Sequence, residues 1–182
     1  MAPTFFTLPM LELVSSLRRE GQPLSLFDAV DRIASTEIGR DFSTSLILHT
    51  DGDGERIFSS DPLMFPLGSR KPLVGRKWSE QVISRAEPFL ARSLDEIRSA
   101  INDTAAIERF GCQCLLNVPV VHDGMVVGTF NLGAREDRYE DLHVKQVLAL
   151  ATLLGPSIAW LQLKLAEVER ADRRQQASGM EN

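Results

Sequence analysis

Residues 111–141 read GCQCLLNVPVVHDGMVVGTFNLGAREDRYED, and this stretch decides the fold. Two apolar runs, Cys114–Val121 and Met125–Leu132, flank the tripeptide His122-Asp123-Gly124. An Asp-Gly pair tolerates the positive φ angles of a tight turn, so the two runs predict a β-hairpin. The acidic residues up to Asp141 suit the first turn of a helix, where negative charge is stabilising. We therefore expect a hairpin, a loop and a long terminal helix in that order.

The segments before this hairpin predict two helices, another hairpin and a loop. Apolar residues at helical spacing predict one helix over Phe5–Glu20 and a second from about Ser25 to Glu37. The β-prone runs Ser43–His49 and Glu55–Ser59 flank a turn rich in glycine and aspartate, which predicts a hairpin. Prolines and glycines make Asp61–Trp78 a loop.

The remaining segments are mostly helical. Ser79–Ala86 predicts a short helix, and Ser93–Phe110 is polar and mildly helical. The last helix is expected from Glu140 to about Arg174, with an interruption at Gly155-Pro156, because proline removes an intrahelical hydrogen bond. Two hairpins combined with helices at both ends indicate an α+β fold with an antiparallel sheet.

Composition argues against several classes of protein. The chain has 182 residues, 43% of them apolar, which suits one domain with a sizeable core. Its net charge of −5 argues against nucleic-acid binding, which depends on clustered Lys and Arg. Residues 1–17 lack the basic flank and cleavage site of a signal peptide and are too short to span a bilayer. Cys112 and Cys114 are too close to link distant segments, so we predict a cytoplasmic protein that binds neither membrane nor nucleic acid.

The central hairpin carries a family resemblance. Leu116-Asn117-Val118-Pro119-Val120, followed by Gly124, then Gly128-Thr129 and Asn131-Leu132, resembles the paired central strands of GAF domains. The resemblance covers about Leu24–Trp160. It implies a profilin-like antiparallel sheet with the terminal helices on one face and pocket-forming loops and short helices on the other. Some members close the pocket with an Asn-Lys motif; here Leu132 follows Asn131, which argues against a cyclic-nucleotide ligand.

The resemblance also suggests a division of the chain. We assign residues 1–23 to an N-terminal helix for dimerisation, residues 24–160 to the GAF-like domain, and residues 161–182 to the end of the C-terminal helix and a polar tail. The pocket side of the sheet is expected from Asp61–Trp78 and Ser79–Phe110.

Cys112 and Cys114 allow two interpretations. Because they are two apart, both side chains are expected on the same strand face as Leu116. They are either a redox-active or metal-binding pair at the pocket rim or two small buried side chains. We favour burial, because an active thiolate needs a positive or metal environment and one Cys-x-Cys pair is at most half a zinc site.

Aromatic and basic residues are further candidates for the pocket. Trp78, Phe89 and Phe110 lie at the ends of loops around the sheet, where rings either wall a ligand cavity or fill it. Arg70 and Lys71 suit an anionic ligand such as a carboxylate, although a solvated loop also explains them.

Two asparagines interrupt the apolar central strands. A buried amide must be hydrogen-bonded, and for Asn117 and Asn131 we expect backbone partners rather than a ligand. No metal site is predicted, and the sequence requires no cofactor.

Together these features predict a non-enzymatic GAF domain that senses an unidentified small molecule and acts on a separate output protein. Two alternatives stay open. One is a thiol-dependent reductase related to GAF proteins that reduce free methionine sulfoxide, although those place their cysteines in different segments. The other is a structural interaction module whose pocket is filled by side chains.

Apolar stripes on the terminal helices predict a homodimer. Leu8–Leu17 and Leu148–Val168 would complete a four-helix bundle across a two-fold axis. The expected interface residues are Leu11, Val14, Leu154, Ile158, Leu161 and Leu165.

Overall fold

The computed structural model describes residues 7–73, 75, 77–102 and 104–179. It contains six helices and six strands in these residues. The helices are α1 (Leu8–Ser16), α2 (Leu24–Ile33), α3 (Lys77–Ser79), α4 (Leu94–Ala100), α5 (Ala105–Phe110) and α6 (Asp141–Gly179). The strands are β1 (Phe42–Leu48), β2 (Asp53–Ser59), β3 (Arg70–Pro72), β4 (Phe89–Ala91), β5 (Cys114–His122) and β6 (Met125–Ala134). π-Helical turns extend α2 over Ala34–Ile38 and α3 over Glu80–Ser84.

The strands form one antiparallel sheet in the order β3-β2-β1-β6-β5-β4. The predicted hairpins are confirmed as β1–β2 and β5–β6. Asp123 and Gly124 form the tight turn of the second hairpin with φ angles of 49° and 74°, and His122 pairs with Met125. The predicted α+β class with an antiparallel sheet is therefore confirmed.

The two faces of the sheet pack against different layers. On one face, α2 and α6 cover side chains such as Leu116, Val118 and Phe130. On the other face, a separate apolar cluster joins Phe42 and Leu115 to residues of the loops and short helices. This is the expected arrangement of helices on one side and pocket-forming segments on the other.

Two expectations about the loops and the N-terminus are corrected. The loop predicted over Asp61–Trp78 contains β3, which pairs with β2, and the start of α3. The helix predicted over Phe5–Glu20 is shorter and ends at Ser16; Phe5 lies outside the described residues. α1 packs beside α2, where Glu12 forms an ion pair with Arg32.

α6 runs unbroken through Pro156, where an interruption was expected. At 39 residues it is about 58 Å long. Gly155 lets its backbone approach the end of β5, since a Cβ there would lie 2.8 Å from the Val121 carbonyl oxygen. Its segment Asp141–Val168 is long and apolar enough to cross a membrane, but a core helix passes the same test, and Ile158 is fully buried against the sheet.

The pairing of β1 with β6 depends on a glycine. A Cβ on Gly128 would lie 2.2 Å from the carbonyl oxygen of Leu46 on the neighbouring strand. We expect Gly128→Ala to lower the free energy of unfolding by about 3 kcal/mol, because backbone atoms cannot yield as a flexible side chain does. Urea denaturation measures this change.

The matched control is Gly111→Ala. A Cβ at Gly111 meets no atom within 4 Å, and only its φ of 80° opposes a side chain. That conformation costs about 1–2 kcal/mol for a residue with a Cβ. Equal losses for the two variants would contradict the proposed close contact at Gly128.

Candidate functional site

A cavity of about 110 Å³ lies on the sheet face opposite α2 and α6. Its floor comes from β1, β2, β5 and β6, and its edge from β3, Trp78 and the segment between α4 and α5. Much of its wall is apolar, including Phe42 and Phe65, whose ring centroids are 4.3 Å apart.

Three polar side chains form a row across the floor of the cavity. Thr44, Asn131 and Asn117 occupy paired positions on β1, β6 and β5. Asn117 Nδ2 donates a hydrogen bond to Asn131 Oδ1, and Asn131 Nδ2 donates one to Thr44 Oγ1 at 3.2 Å. The expectation of backbone partners for the two amides is therefore wrong, because the register places the two side chains directly opposite each other.

Two uncharged residues that line the cavity each have a buried polar atom without a hydrogen-bond partner. These atoms are Asn117 Oδ1 and the indole Nε1 of Trp78, in residues that are only 7% and 5% exposed. Buried polar groups are nearly always hydrogen-bonded, since leaving one unpaired costs about 1–3 kcal/mol. Two residues of the cavity wall therefore each carry one buried polar atom without a partner, an acceptor on Asn117 and a donor on Trp78.

The charged side chains in the described lining of the cavity are basic. Among the described residues that line it, Arg56 and Lys71 are the charged ones, and none is a carboxylate. The Arg56 guanidinium lies over the Phe65 ring at 5.7 Å from its centroid and donates to the Pro66 carbonyl oxygen at 3.1 Å. These two cations favour an anion in a chain that is itself acidic.

Arg70 lies outside the lining of the cavity. Its Nε donates to an Asp53 carboxylate oxygen at 3.1 Å, and its guanidinium also pairs with Asp51. The hydrogen bond to Asp53 raises the pKa of Arg70, while the backbone N–H of Asp53 lowers the pKa of Asp51. Of the two basic residues singled out in the sequence, the structure brings only Lys71 to the cavity.

The other predicted aromatic residues lie beside the cavity. Phe110 packs edge-on against Phe42 at a centroid distance of 5.0 Å. Phe89 is on β4, paired with Asn117 and half-buried. Neither lines the cavity. Phe42 and Phe65 also line the cavity and were not predicted from the sequence. Phe42 was predictable, because its period-two spacing with Thr44 and Leu46 places the three side chains on one face of β1.

The two cysteines lie on opposite sides of the sheet, so the expectation of a shared face is wrong. β5 begins only at Cys114, which packs in the cluster under α6, whereas Cys112 precedes the strand and packs in the cluster on the cavity side. Both are fully buried, and neither lines the cavity. Burial raises the pKa of Cys112 to about 11 and also raises the pKa of Cys114. In the part of the chain that the structure describes, no three His, Cys, Asp or Glu side chains could hold a metal ion.

The expected dimer residues divide into two groups. Leu11 and Val14 on α1 are about half exposed, whereas Leu154 and Ile158 are fully buried against the sheet. The proposal of Leu154 and Ile158 as interface residues is therefore wrong, since the core of a single chain already covers them. Leu161 and Leu165 are partly buried against that core.

Comparisons with known proteins agree on the family and the fold. A family model described as GAF domain matches residues 25–159. The GAF domain of a phosphoenolpyruvate-protein phosphotransferase from Coxiella burnetii superposes with a TM-score of 0.66 at 16% identity, covering 88% of this chain and 99% of that one. A domain of a putative two-component sensor histidine kinase from Sinorhizobium meliloti superposes with a TM-score of 0.61 at 17% identity, covering 81% of this chain and 97% of that one. Residues 122 to 287 of a methyl-accepting chemotaxis protein superpose with a TM-score of 0.66 at 14% identity, covering 86% of this chain and 99% of that one. No curated protein matches the sequence.

The burial of both thiols predicts low reactivity. At pH 8 a thiol whose pKa is about 11 is ionised roughly a hundredfold less than an ordinary cysteine, and only the thiolate attacks a disulfide reagent. We expect the native protein to react with Ellman's reagent at least about a hundredfold more slowly than the same protein in guanidinium chloride. Release of thionitrobenzoate at 412 nm follows the reaction. Labelling of either thiol within seconds in the native state would show that it is accessible and activated.

Proposed function

Because the chain belongs to the GAF domain family, we propose that it is a non-enzymatic sensor that binds a small organic anion in the cavity between the sheet and Trp78. One observation carries this proposal: Trp78 Nε1 and Asn117 Oδ1 are buried without partners in two residues of the cavity wall, and the charged residues in the described part of that wall are cations. Fold relatives from a chemotaxis protein and from sensor histidine kinases support a sensory role.

The groups around the cavity define the chemistry of the ligand. A carboxylate near Arg56 and Lys71 would be attracted by both cations and would accept the hydrogen bond that Trp78 Nε1 offers. A hydroxyl or amino group on the ligand would donate to Asn117 Oδ1. Phe42, Phe65 and neighbouring apolar side chains would enclose a short hydrocarbon body. The ligand class is thus a short carboxylate that carries one hydrogen-bond donor.

The size of the cavity supports a short ligand. An apolar cavity of about 150 Å³ accommodates benzene, so about 110 Å³ suits an enclosed body of roughly four or five non-hydrogen atoms, with the ligand carboxylate at the cavity edge beside Lys71. Drug-sized and cofactor-sized ligands need pockets of about 300 Å³ or more. A nucleotide is therefore too large for this cavity.

The position and the pKa of the thiols argue against the reductase alternative. A thiol-dependent reductase needs a thiolate at its substrate, and both cysteines are buried away from the cavity with raised pKa values. The open cavity argues against an interaction module with a filled pocket.

Signalling requires that the ligand favour one conformation over another. Trp78 belongs to α3, whose π-helical turn Glu80–Ser84 packs on β5 and β6. We propose that ligand binding fixes α3 against the sheet and that α6, on the opposite face, passes this change to a separate output protein. A cytoplasmic location is consistent with two cysteines that remain free thiols.

One aromatic substitution tests the ligand site. Trp78→Phe removes the unpaired N–H but keeps an aromatic ring, so we expect affinity for 2-hydroxybutyrate to fall about tenfold or more. In the ligand-free protein, Nε1 has no hydrogen-bond partner to lose. The free energy of unfolding should therefore fall only by the packing that the smaller ring loses. Isothermal titration calorimetry and urea denaturation measure the two effects.

The control variant is Trp160→Phe, in the other tryptophan of the chain, which is half exposed on α6. It should leave affinity for 2-hydroxybutyrate unchanged. As a control for charge, neutral 2-hydroxybutanamide should bind at least tenfold more weakly than 2-hydroxybutyrate. If the amide bound as tightly as the acid, the anion part of the proposal would be wrong.

We also propose that the protein is a homodimer formed through α1 and α6. Leu11 and Val14 leave apolar surface exposed on α1, and Leu153 and Trp160 do so on α6. Leu153 and Trp160 are seven residues apart and therefore share one helix face. Exposed apolar stripes of this kind are typical of helices that pair with a second copy.

This dimer is tested by charge insertion. The double variant Leu153→Glu and Trp160→Glu should convert a dimer into a folded monomer, because both side chains lie outside the core. Sedimentation velocity at micromolar concentration gives the mass. The control Leu63→Glu changes a loop residue that is 96% exposed, and it should remain dimeric. A monomeric wild-type protein would refute the proposal.

A further inference from the structure

The cavity adjoins a larger groove at the end of the sheet that carries the β1–β2 and β5–β6 turns, between Ile83 and α6. The groove has a volume of about 1000 Å³ and is lined in part by Leu48, Gly52 and Ile83. Leu46 lines the cavity, and Leu48, two residues further along β1, lines the groove. Because residues two apart on a strand share a face, the groove begins where the cavity ends.

One side chain lies between the two spaces. Leu73, the residue after β3, lines both of them and is 4% exposed. Its backbone N–H donates to the Gly52 carbonyl oxygen at 3.3 Å, which anchors it to the β1–β2 turn. Its side chain rests directly on Gly54, where a Cβ would lie 2.5 Å from Leu73 Cδ1. The glycine therefore makes room for the leucine.

We propose that Leu73 determines the size specificity of the ligand site, as the partition that separates the 110 Å³ cavity from the 1000 Å³ groove. This inference rests on the proposed function, in which a short carboxylate occupies the cavity. With Leu73 in place, a carboxylate with a chain longer than about four or five carbons has no space for its remaining methylenes. Without it, the chain would continue over the apolar side chains of Leu48, Ile83 and Val127.

The test is a chain-length series in wild type and Leu73→Ala. Each methylene that leaves water should raise affinity about fourfold. For wild type, the affinities of n-alkanoates from acetate to octanoate should rise to about butyrate or pentanoate and then stop rising or fall. For Leu73→Ala, the rise should continue to octanoate. Isothermal titration calorimetry on the full chain gives both series.

Two further variants protect this test against a folding defect. Leu73→Val removes a single methylene and should shift the limit to a longer chain by a smaller amount. Leu63→Ala, at an exposed loop position, should keep the wild-type limit. Circular dichroism melting curves confirm that each variant is folded at the temperature of the titration.

The outcomes separate the two proposals. Affinity that rises through octanoate in wild type, or that stops at the same length in every folded Leu73 variant, overturns the role of Leu73. A parallel series of uncharged 1-alkanols tests whether Leu73 limits chain length when the ligand is not an anion. If alkanols show the length limit and alkanoates do not bind, the anion part of the proposed function fails and the role of Leu73 stands. If neither series binds wild type, both proposals are overturned.

Discussion

The register of the β5–β6 hairpin is the constraint on which the rest of the structure depends. Asp123 and Gly124 close a two-residue turn, and a bulge at Val127 then shifts the register by one residue, so that Asn117 pairs with Asn131. Because side chains alternate along a strand, a slip of one residue would turn Asn117 toward the helices and Leu116 toward the cavity. One register thus determines both the apolar surface that α6 covers and the polar floor of the cavity.

The sequence predicted those elements whose signals are local. Both hairpins combine period-two patterns with glycine turns, and at the start of α4 the side chain of Ser93 caps the helix by accepting a hydrogen bond from the backbone N–H of Glu96 at 3.3 Å. β3 was missed because a three-residue strand that ends in Pro72 has no local pattern and exists only through its pairing with β2. The continuation of α6 through Pro156 likewise depends on packing against the sheet.

The site was predictable only in part, for a related physical reason. Trp78, Lys71 and the two asparagines were candidates, and the structure places them at one cavity. Cys112 was misplaced because alternation holds only inside a strand, and the chain enters β5 after Gly111 with φ of 80°. A residue's face follows from its sequence position only where the backbone is regular, so the contribution of a loop residue such as Phe65 required the structure.

The unpaired atoms of Trp78 and Asn117 link stability to ligand binding. Each lowers the stability of the unliganded domain by about 1–3 kcal/mol relative to a paired group. A ligand that supplies both partners removes this cost only in the folded state and only with α3 closed over the sheet, so it stabilises that arrangement by mass action. In an alternative conformation in which water hydrogen-bonds to Trp78 Nε1, the cost of the unpaired N–H is already absent. The ligand would therefore stabilise that conformation less. In the proposed sensor, the same two atoms would provide the differential affinity without which a bound molecule shifts no equilibrium.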